Sequence, residues 1–338
     1  MDKNIGCSVS SGSALQQCEM AADGCIRYIM YFLDHICIGV WNSAAGDERE
    51  FCVEYRGRDL EKNRMEEMKT KIIVATHKPF EMPDEDIYMP LQVGAACTDK
   101  DFGYCKDNTG DNISAKNPYF CELTGLYWAW KNLDCDYLGM AHYRRHFTVK
   151  SRRMIHKCGD DVHKKMSCVL NAKELNHLEQ LYDIILPARR HYVIETLYSH
   201  YSHSHYEEHL KLTREIIERK YVEYLPYFDK AMKARSGYMF NMFIMKKSLA
   251  DQYCSWLFDI LDELEQTVDV DGLSPFQARL YGRVAEIIFN VWLLYQIETN
   301  HYRVREIGYL SLGPTDWGRK VTAFVGAKLF HKKYEGSF

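Results

Sequence analysis

The sequence predicts an α/β fold in which a mainly parallel sheet is flanked by helices, and three observations predict it. Short runs of β-branched and small apolar residues end abruptly in polar or proline-containing segments, as at Lys71-Ile-Ile-Val-Ala-Thr-His77; buried parallel strands have this habit. Longer stretches with apolar residues at helical spacing separate those runs. The chemically distinctive residues stand just after the strand runs, where open α/β sheets bind their ligands.

Residues 1–68 differ from the rest: Ser-, Gly- and Cys-rich at first, then apolar, then highly charged from Asp47 to Lys71. This segment carries no recognisable chemistry and is read as an N-terminal extension. The first clear strand is Lys71–His77, after which Pro79, Pro83 and Pro90 predict irregular chain. Asp107-Asn-Thr-Gly-Asp-Asn-Ile-Ser114 is a polar, turn-forming cluster. Pro118 suits a first helical position, and Leu123, Leu126, Tyr127 and Trp130 continue the helix to Asn132. Further strands are expected at Tyr137–Ala141, Tyr182–Leu186 and Gly237–Met245, with a basic, His-containing insertion at about 150–180. Helices are expected at Leu249–Leu264, with the apolar stripe Tyr253, Trp256, Leu257, Ile260, Leu261 and Leu264, and around Arg283–Trp292.

With 338 residues, 46% hydrophobic and 27% charged, the chain can bury a substantial core and hold a cleft. A net charge of −4 argues against a general nucleic-acid binder. Twelve scattered cysteines without a CxxC pair fit neither a small disulfide scaffold nor a four-cysteine zinc site. The best apolar stretch, Ile26–Trp41, is interrupted by Arg27, Asp34 and His35 and falls short of the roughly 20 residues of a spanning helix. A cytoplasmic catalytic body with reduced thiols is therefore expected.

Several clusters invite chemistry. His142-Tyr-Arg-Arg145 puts an imidazole and two guanidiniums at a strand end; arginine suits a diphosphate because its planar fork binds oxygens bidentately and stays charged. The competing reading is a pair of surface arginines matched with nearby acids. The Asp107–Asn112 turn offers carboxylates, backbone donors and close approach at Gly110, and is equally a plain helix entry. Asp134-Cys-Asp136 has the metal-binding DxD spelling but precedes its strand. His205-x-x-Glu208-His209 matches an inverted zinc-peptidase motif, and a His-rich stretch produces such a spelling by chance. Glu286 lies between apolar neighbours, which predicts a carboxylate either tuned upward in pKa as a base or paired with Arg283 or Arg279. In the tail, Val321, Phe324, Val325 and Leu329 share a helical face flanked by Lys320, Lys328, Lys332 and Lys333. That suits docking on an anionic inner membrane surface or packing on the protein's own core.

From Lys71 onward the chain resembles the uncharacterised-domain family of capsular and exopolysaccharide glycosyltransferases of bacteria. The resemblance is carried by Lys71–Lys78, Asp107–Ser114, Asn117–Lys131, His142–Arg145, Ile194–Tyr198, Gly237–Met245 and Phe289–Trp292. It implies a GT-A-like domain at 69–315 between the extension 1–68 and a basic tail at 316–338. It also implies transfer of a sugar from a nucleotide donor, UDP-galactofuranose among the candidates, to a lipid-linked saccharide acceptor. A divalent metal (Mn or Mg) is the one cofactor such families bring into view; here the basic His142–Arg145 segment stands where many GT-A enzymes carry DxD, so arginine is expected to take the cation's part. Under this resemblance Thr76, His77, Asp107, Thr109, Gly110 and Asn112 hold the nucleoside, and His142, Arg144 and Arg145 neutralise the departing diphosphate. Glu286 is the leading base, with Asp111 in reserve, and Tyr198, Tyr201, His205, Tyr238 and Asn241 meet the sugars. The competing classes are a non-catalytic saccharide-binding or scaffold protein and, more remotely, a zinc peptidase built on His205, Glu208 and His209.

Overall fold

The computed structural model describes residues 68–313 in full and, before them, the backbone of three strands. Those strands, β1 (Ala14–Met20), β2 (Cys25–Phe32) and β3 (His35–Asn42), form an antiparallel sheet in the order β1-β2-β3. They belong to a compact unit, residues 1–67, separate from the unit that starts at Met68. The tail expected at 316–338 lies outside the described residues.

The larger unit runs in order through β4 (Thr70–Thr76), β5 (Tyr88–Gln92), β6 (Cys105–Lys106), α1 (Asn117–Phe120), α2 (Leu123–Asn132), β7 (Tyr137–His142) and β8 (Arg145–Thr148). Three short helices follow, α3 (Arg152–Lys157), α4 (Val162–Met166) and α5 (Ala172–Glu179), then β9 (Ile184–Pro187) and β10 (Arg190–His191). The chain continues through α6 (Leu197–Ser204), α7 (Glu208–Lys220), α8 (Leu225–Lys233), β11 (Ser236–Gly237) and β12 (Phe243–Lys246). It ends in α9 (Lys247–Thr267), α10 (Leu280–Asn300) and β13 (Val304–Ser311).

Eight strands form the main sheet, paired in the order β6-β5-β4-β7-β12-β9-β13-β8, and β8 meets β7 again at the single pair His142–Arg145. The α/β class holds, but the sheet is mixed rather than mainly parallel. β8 and β12 run against the other strands, and every pairing that either makes is antiparallel.

Strand periodicity explains the layers. Ile73 and Ala75 of β4 face a core shared with α2, α9 and α10, while Ile72 and Val74 face a second core covered by α5 and the segment before it. All four are at most 3% exposed, so burial of each large side chain contributes about 1.5–3 kcal/mol. The six stripe residues of α9 are all buried, as their spacing predicts.

Two expected elements are broken. The helix expected through Asn117–Asn132 stops at Phe120 and restarts at Leu123, because Cys121 takes a φ of 54°. The strand expected over Gly237–Met245 survives only as Phe243–Lys246 in the main sheet, because Phe240 (φ 77°) and Asn241 (φ 50°) are left-handed. Pro90, expected in irregular chain, lies within β5, parallel to Val74 of β4.

Candidate active site

Both breaks lie near the end of β7, at one end of the strands. Cys121, Phe240 and Asn241 are three of the four non-glycine residues with positive φ among the described residues. An L-residue pays about 1–2 kcal/mol for that backbone, and such strain clusters at functional sites. The three converge with the end of β7 and the first turns of α10. Phe240 O accepts from the His142 ring, Asn241 Nδ2 donates to Gly282 O at 3.1 Å, and Arg279 Nε lies 3.0 Å from Cys121 Sγ.

Charge concentrates here. Glu286 is half-buried, and no hydrogen bond or ion pair within 4.0 Å reaches its carboxylate among the described residues. Burial, and then the neighbouring Glu122, push its pKa up to about 7 against the pull of Arg145, Arg190 and Arg283. The alternative that Glu286 is a structural partner of Arg283 or Arg279 does not hold. Arg283 instead donates to Phe276 O and stacks 4.1 Å over the Phe276 ring, and Arg279 turns to Cys121. Arg145 lies 4.3 Å over the Phe240 ring and Arg190 5.2 Å over Tyr192. Arg189, Arg214, Arg219 and Arg303 form ion pairs with acids, whereas Arg145, Arg190, Arg279 and Arg283 form none within 4.0 Å among the described residues. Arg145, Arg190, Arg279 and Arg283 thus surround two carboxylates, Glu122 and Glu286, without being neutralised by close pairing. Burial lowers the pKa of Arg145 and of Arg283, so these guanidiniums are costly to keep charged and would be relieved by an anion.

His142 contributes differently from expectation. Burial holds its pKa below the usual histidine value, in spite of Glu122. A carbonyl oxygen only accepts, so its Nε2 carries the proton given to Phe240 O and the neutral ring leaves Nδ1 as an acceptor. At neutral pH it brings no charge to a diphosphate. Arg144 is exposed and turned toward the end of β13, donating to Leu312 O at 3.3 Å.

The loop expected to hold the nucleoside is not brought to this end as a whole. Asp107 is fully buried, and its carboxylate accepts from Gly94 N (2.8 Å), Ala95 N (3.0 Å), Ser114 Oγ (2.5 Å) and Thr124 Oγ1 (2.7 Å). Its role is to tie the loop to the strand ends. Thr109 accepts from Trp128 Nε1 at 3.0 Å, and Asn132, the last residue of α2, bonds the backbone of Asp111 at 3.1 and 2.8 Å. Gly110 abuts the same Asn132, and Asn112 bonds back to Gly110 O at 3.0 Å. Glu122 precedes the first residue of α2, so Asp111 and Glu122 stand at opposite ends of a helix about 15 Å long. Asp111 is therefore no reserve base for the Glu286 cleft. Thr76 is buried, its hydroxyl closing a turn onto Lys78 O at 2.5 Å. His77 is exposed beside Tyr143, ring centroids 5.2 Å apart, and partial burial with Lys78 and Arg279 lowers its pKa.

The aromatic candidates are unequal. Tyr201 is buried, its hydroxyl 3.1 Å from His209 Nδ1. Tyr238 is also buried, accepting from Arg189 Nη2 at 2.8 Å and donating to Glu306 at 3.1 Å. Neither presents an open ring for stacking. Tyr198 is half-buried and bonds Glu207 at 3.3 Å. Asn241 is at the cleft, 2.9 Å from Glu122 Oε1.

The peptidase spelling does not form its helix. His205 lies beyond the end of α6 with Nδ1 3.0 Å from Gln277 Oε1, and α7 begins only at Glu208. Farther up the segment, buried Glu195 accepts from His200 Nδ1 at 2.7 Å and His203 Nδ1 at 2.8 Å. Asp134 pairs with Lys69 at 3.0 Å, and Asp136 accepts from Lys69 N at 2.8 Å, both at the start of β7 and far from Arg145. Among the described residues no group of three His, Cys, Asp or Glu side chains is placed to hold a metal ion. The cleft's two carboxylates amid four guanidiniums are a poor donor set for a divalent cation.

Sequence reading missed Glu122 and considered Arg279 and Arg283 only as alternative ion-pair partners of Glu286, not as residues that face an anion. The sequence carries one faint signal, arginines three and seven residues before Glu286 on a single helix; nothing local marks Glu122.

Comparison with known proteins bears on the fold and the family. No curated protein sequence matches the chain. Among solved structures it is similar to WbbM, a bifunctional glycosyltransferase in its apo form, at 31% identity and a TM-score of 0.67. The match covers 73% of this chain and 47% of that one, so the chain spans about half the length of that protein. Residues 71–298, which include all the cleft residues named above, match the family described as a domain of unknown function, DUF4422. The chain belongs to that family.

Proposed function

We propose that the cleft transfers a glycosyl group from a nucleoside-diphosphate sugar to a saccharide hydroxyl. One observation carries this reading: four guanidiniums that make no ion pair within 4.0 Å among the described residues stand around Glu286, a carboxyl that burial pushes up to about 7. In such a transfer the bond from the anomeric carbon to the diphosphate breaks and one to the acceptor oxygen forms. The acceptor loses a proton and the leaving group gains charge. Glu286 takes the proton, and Arg145, Arg279 and Arg283 stabilise the departing diphosphate, with Arg190 at the rim. Similarity to a solved glycosyltransferase supports the reaction class.

The finer assignments extend this reading. UDP-galactofuranose is the first donor to test, and a lipid-linked saccharide of capsular or exopolysaccharide biosynthesis the first acceptor. The basic tail at 316–338 is assigned to the inner membrane surface, where such an acceptor resides. The test is calorimetric titration of UDP into the full chain. Wild type binds, and Arg145→Ala and Arg283→Ala each lose about 1.5–3 kcal/mol of affinity. Equal affinity in all three proteins would remove the guanidiniums from the donor site.

A further inference from the structure

Glu122 is the second carboxylate of the cleft, and its placement is unusually constrained. It follows Cys121, which holds φ 54° and ψ −130°. Its Oε1 accepts from Asn241 Nδ2 at 2.9 Å, and the same nitrogen donates to Gly282 O at 3.1 Å. Asn241 is itself left-handed, 3% exposed, and its Oδ1 has no hydrogen-bond partner among the described residues. A left-handed backbone and an unmet buried acceptor are both costly, and both fall on the residue whose amide ties Glu122 to α10. Gly282 precedes Glu286 by four residues, one helical turn. Helical side chains lean toward the N-terminus, so Glu286 reaches back to the level at which Asn241 holds Glu122.

We propose that Glu122 is a positioning residue for the transfer reaction, fixed by Asn241 beside Glu286 so that its negative charge tunes the proton affinity of that base. The inference rests on the reading of Glu286 as the base. Glu286 is faced by Glu122 from the entry to α2, Arg145 from β8, Arg190 from β10, Arg279 and Arg283 from its own helix, and Tyr253 from α9. Burial keeps the Tyr253 hydroxyl protonated and uncharged. His142 beside Glu122 is neutral, and burial raises the Cys121 thiol to about 11. Glu122 is therefore the one anion in this group that opposes ionisation of Glu286. Without it the arginines would hold Glu286 ionised at lower pH, as a weaker base. The same guanidiniums can then serve a diphosphate without disabling the base next to it.

The test follows the carboxyl carbons of the full-length protein, labelled at glutamate, by carbon NMR across pH. The Glu286 resonance is the one lost in Glu286→Gln. In Glu122→Gln its midpoint should fall by on the order of one unit, and Glu122→Asp, which keeps the charge, should restore most of the wild-type value. In the wild type the Glu122 resonance should show an inflection at the Glu286 midpoint, a readout that decides the matter even if Glu122→Gln fails to fold. An unmoved Glu286 midpoint, or a Glu122 resonance blind to Glu286, overturns the proposal. A midpoint that moves while the pH profile of sugar transfer stays put upholds the pairing and removes Glu286 as the base.

Discussion

Replacing Glu286 with glutamine should make the protein more stable and much less active. Burial pushes the Glu286 carboxyl from 4.5 up to about 7, which corresponds to about 3 kcal/mol at about 1.36 kcal/mol per unit. The sign follows from the direction. A carboxyl whose pKa is raised on folding costs nothing below 4.5, where it is protonated in both states. The cost grows between 4.5 and about 7 and stays at its full value above, where the folded protein must carry the charge. Glutamine never carries that charge. Glu286→Gln should therefore be up to about 3 kcal/mol more stable than wild type at pH 8 and nearly equal to it at pH 4. Its turnover should fall by about 10²–10⁴. Glu179, at the starts of β4 and β7, is also pushed up to about 7 by burial; comparing the two proteins at each pH cancels its contribution. Urea unfolding at pH 4 and 8, with transfer rates on the same preparations, measures both effects. A variant less stable at pH 8 and nearly normal in turnover would refute the reasoning, since it would make Glu286 a structural partner.

Asp107→Ala should destabilise the fold by at least about 3 kcal/mol, since it leaves two buried amides and two hydroxyls without their acceptor; denaturant midpoints check this, and a loss under 1 kcal/mol would contradict it. Asp111→Asn, at the far end of α2 from the cleft, should keep transfer within about twofold of wild type, and a large fall in turnover would return Asp111 to the site. A chain starting at Met68 should fold, because the two units divide at Glu67; circular dichroism of an unfolded product would oppose it. Replacing Lys328, Lys332 and Lys333 with Glu should weaken co-sedimentation with anionic vesicles, each lysine being worth about 1 kcal/mol; unchanged sedimentation would place the tail elsewhere.

Much of the central sheet was legible because burial on both faces leaves a plain mark. Ile72, Ile73 and Val74 read as a buried strand because the run is short, β-branched and followed closely by Pro79, and the stripe of α9 reads as a buried helical face by its spacing. The mixed pairing was not legible, since direction is set by connections rather than composition: β8 and β12 look like any short strand. The site was legible in part. Glu286 stands out because its neighbours along the chain, Val284, Ala285, Ile287 and Ile288, are all apolar, although the charges that face it come mostly from other elements. Glu122 does not, because Asn241 and Gly282, which hold it, arrive from 119 and 160 positions away. Nor do Cys121, Phe240 and Asn241 announce left-handed backbone, as none is a glycine and the strain is imposed by packing. The Asp107 turn misled for a related reason: an Asx-rich loop that binds a ligand and one that binds its own backbone are spelled alike.

The most direct test of the account is release of nucleoside diphosphate from a panel of nucleotide sugars, UDP-galactofuranose first, in the presence of saccharide acceptors. The account predicts acceptor-dependent release by the wild type, reduced at least a hundredfold in Glu286→Gln and failing in Arg145→Ala at donor concentrations that saturate the wild type. Wild-type protein that binds UDP yet releases no diphosphate from any donor, or Glu286→Gln that releases it at the wild-type rate, would contradict it.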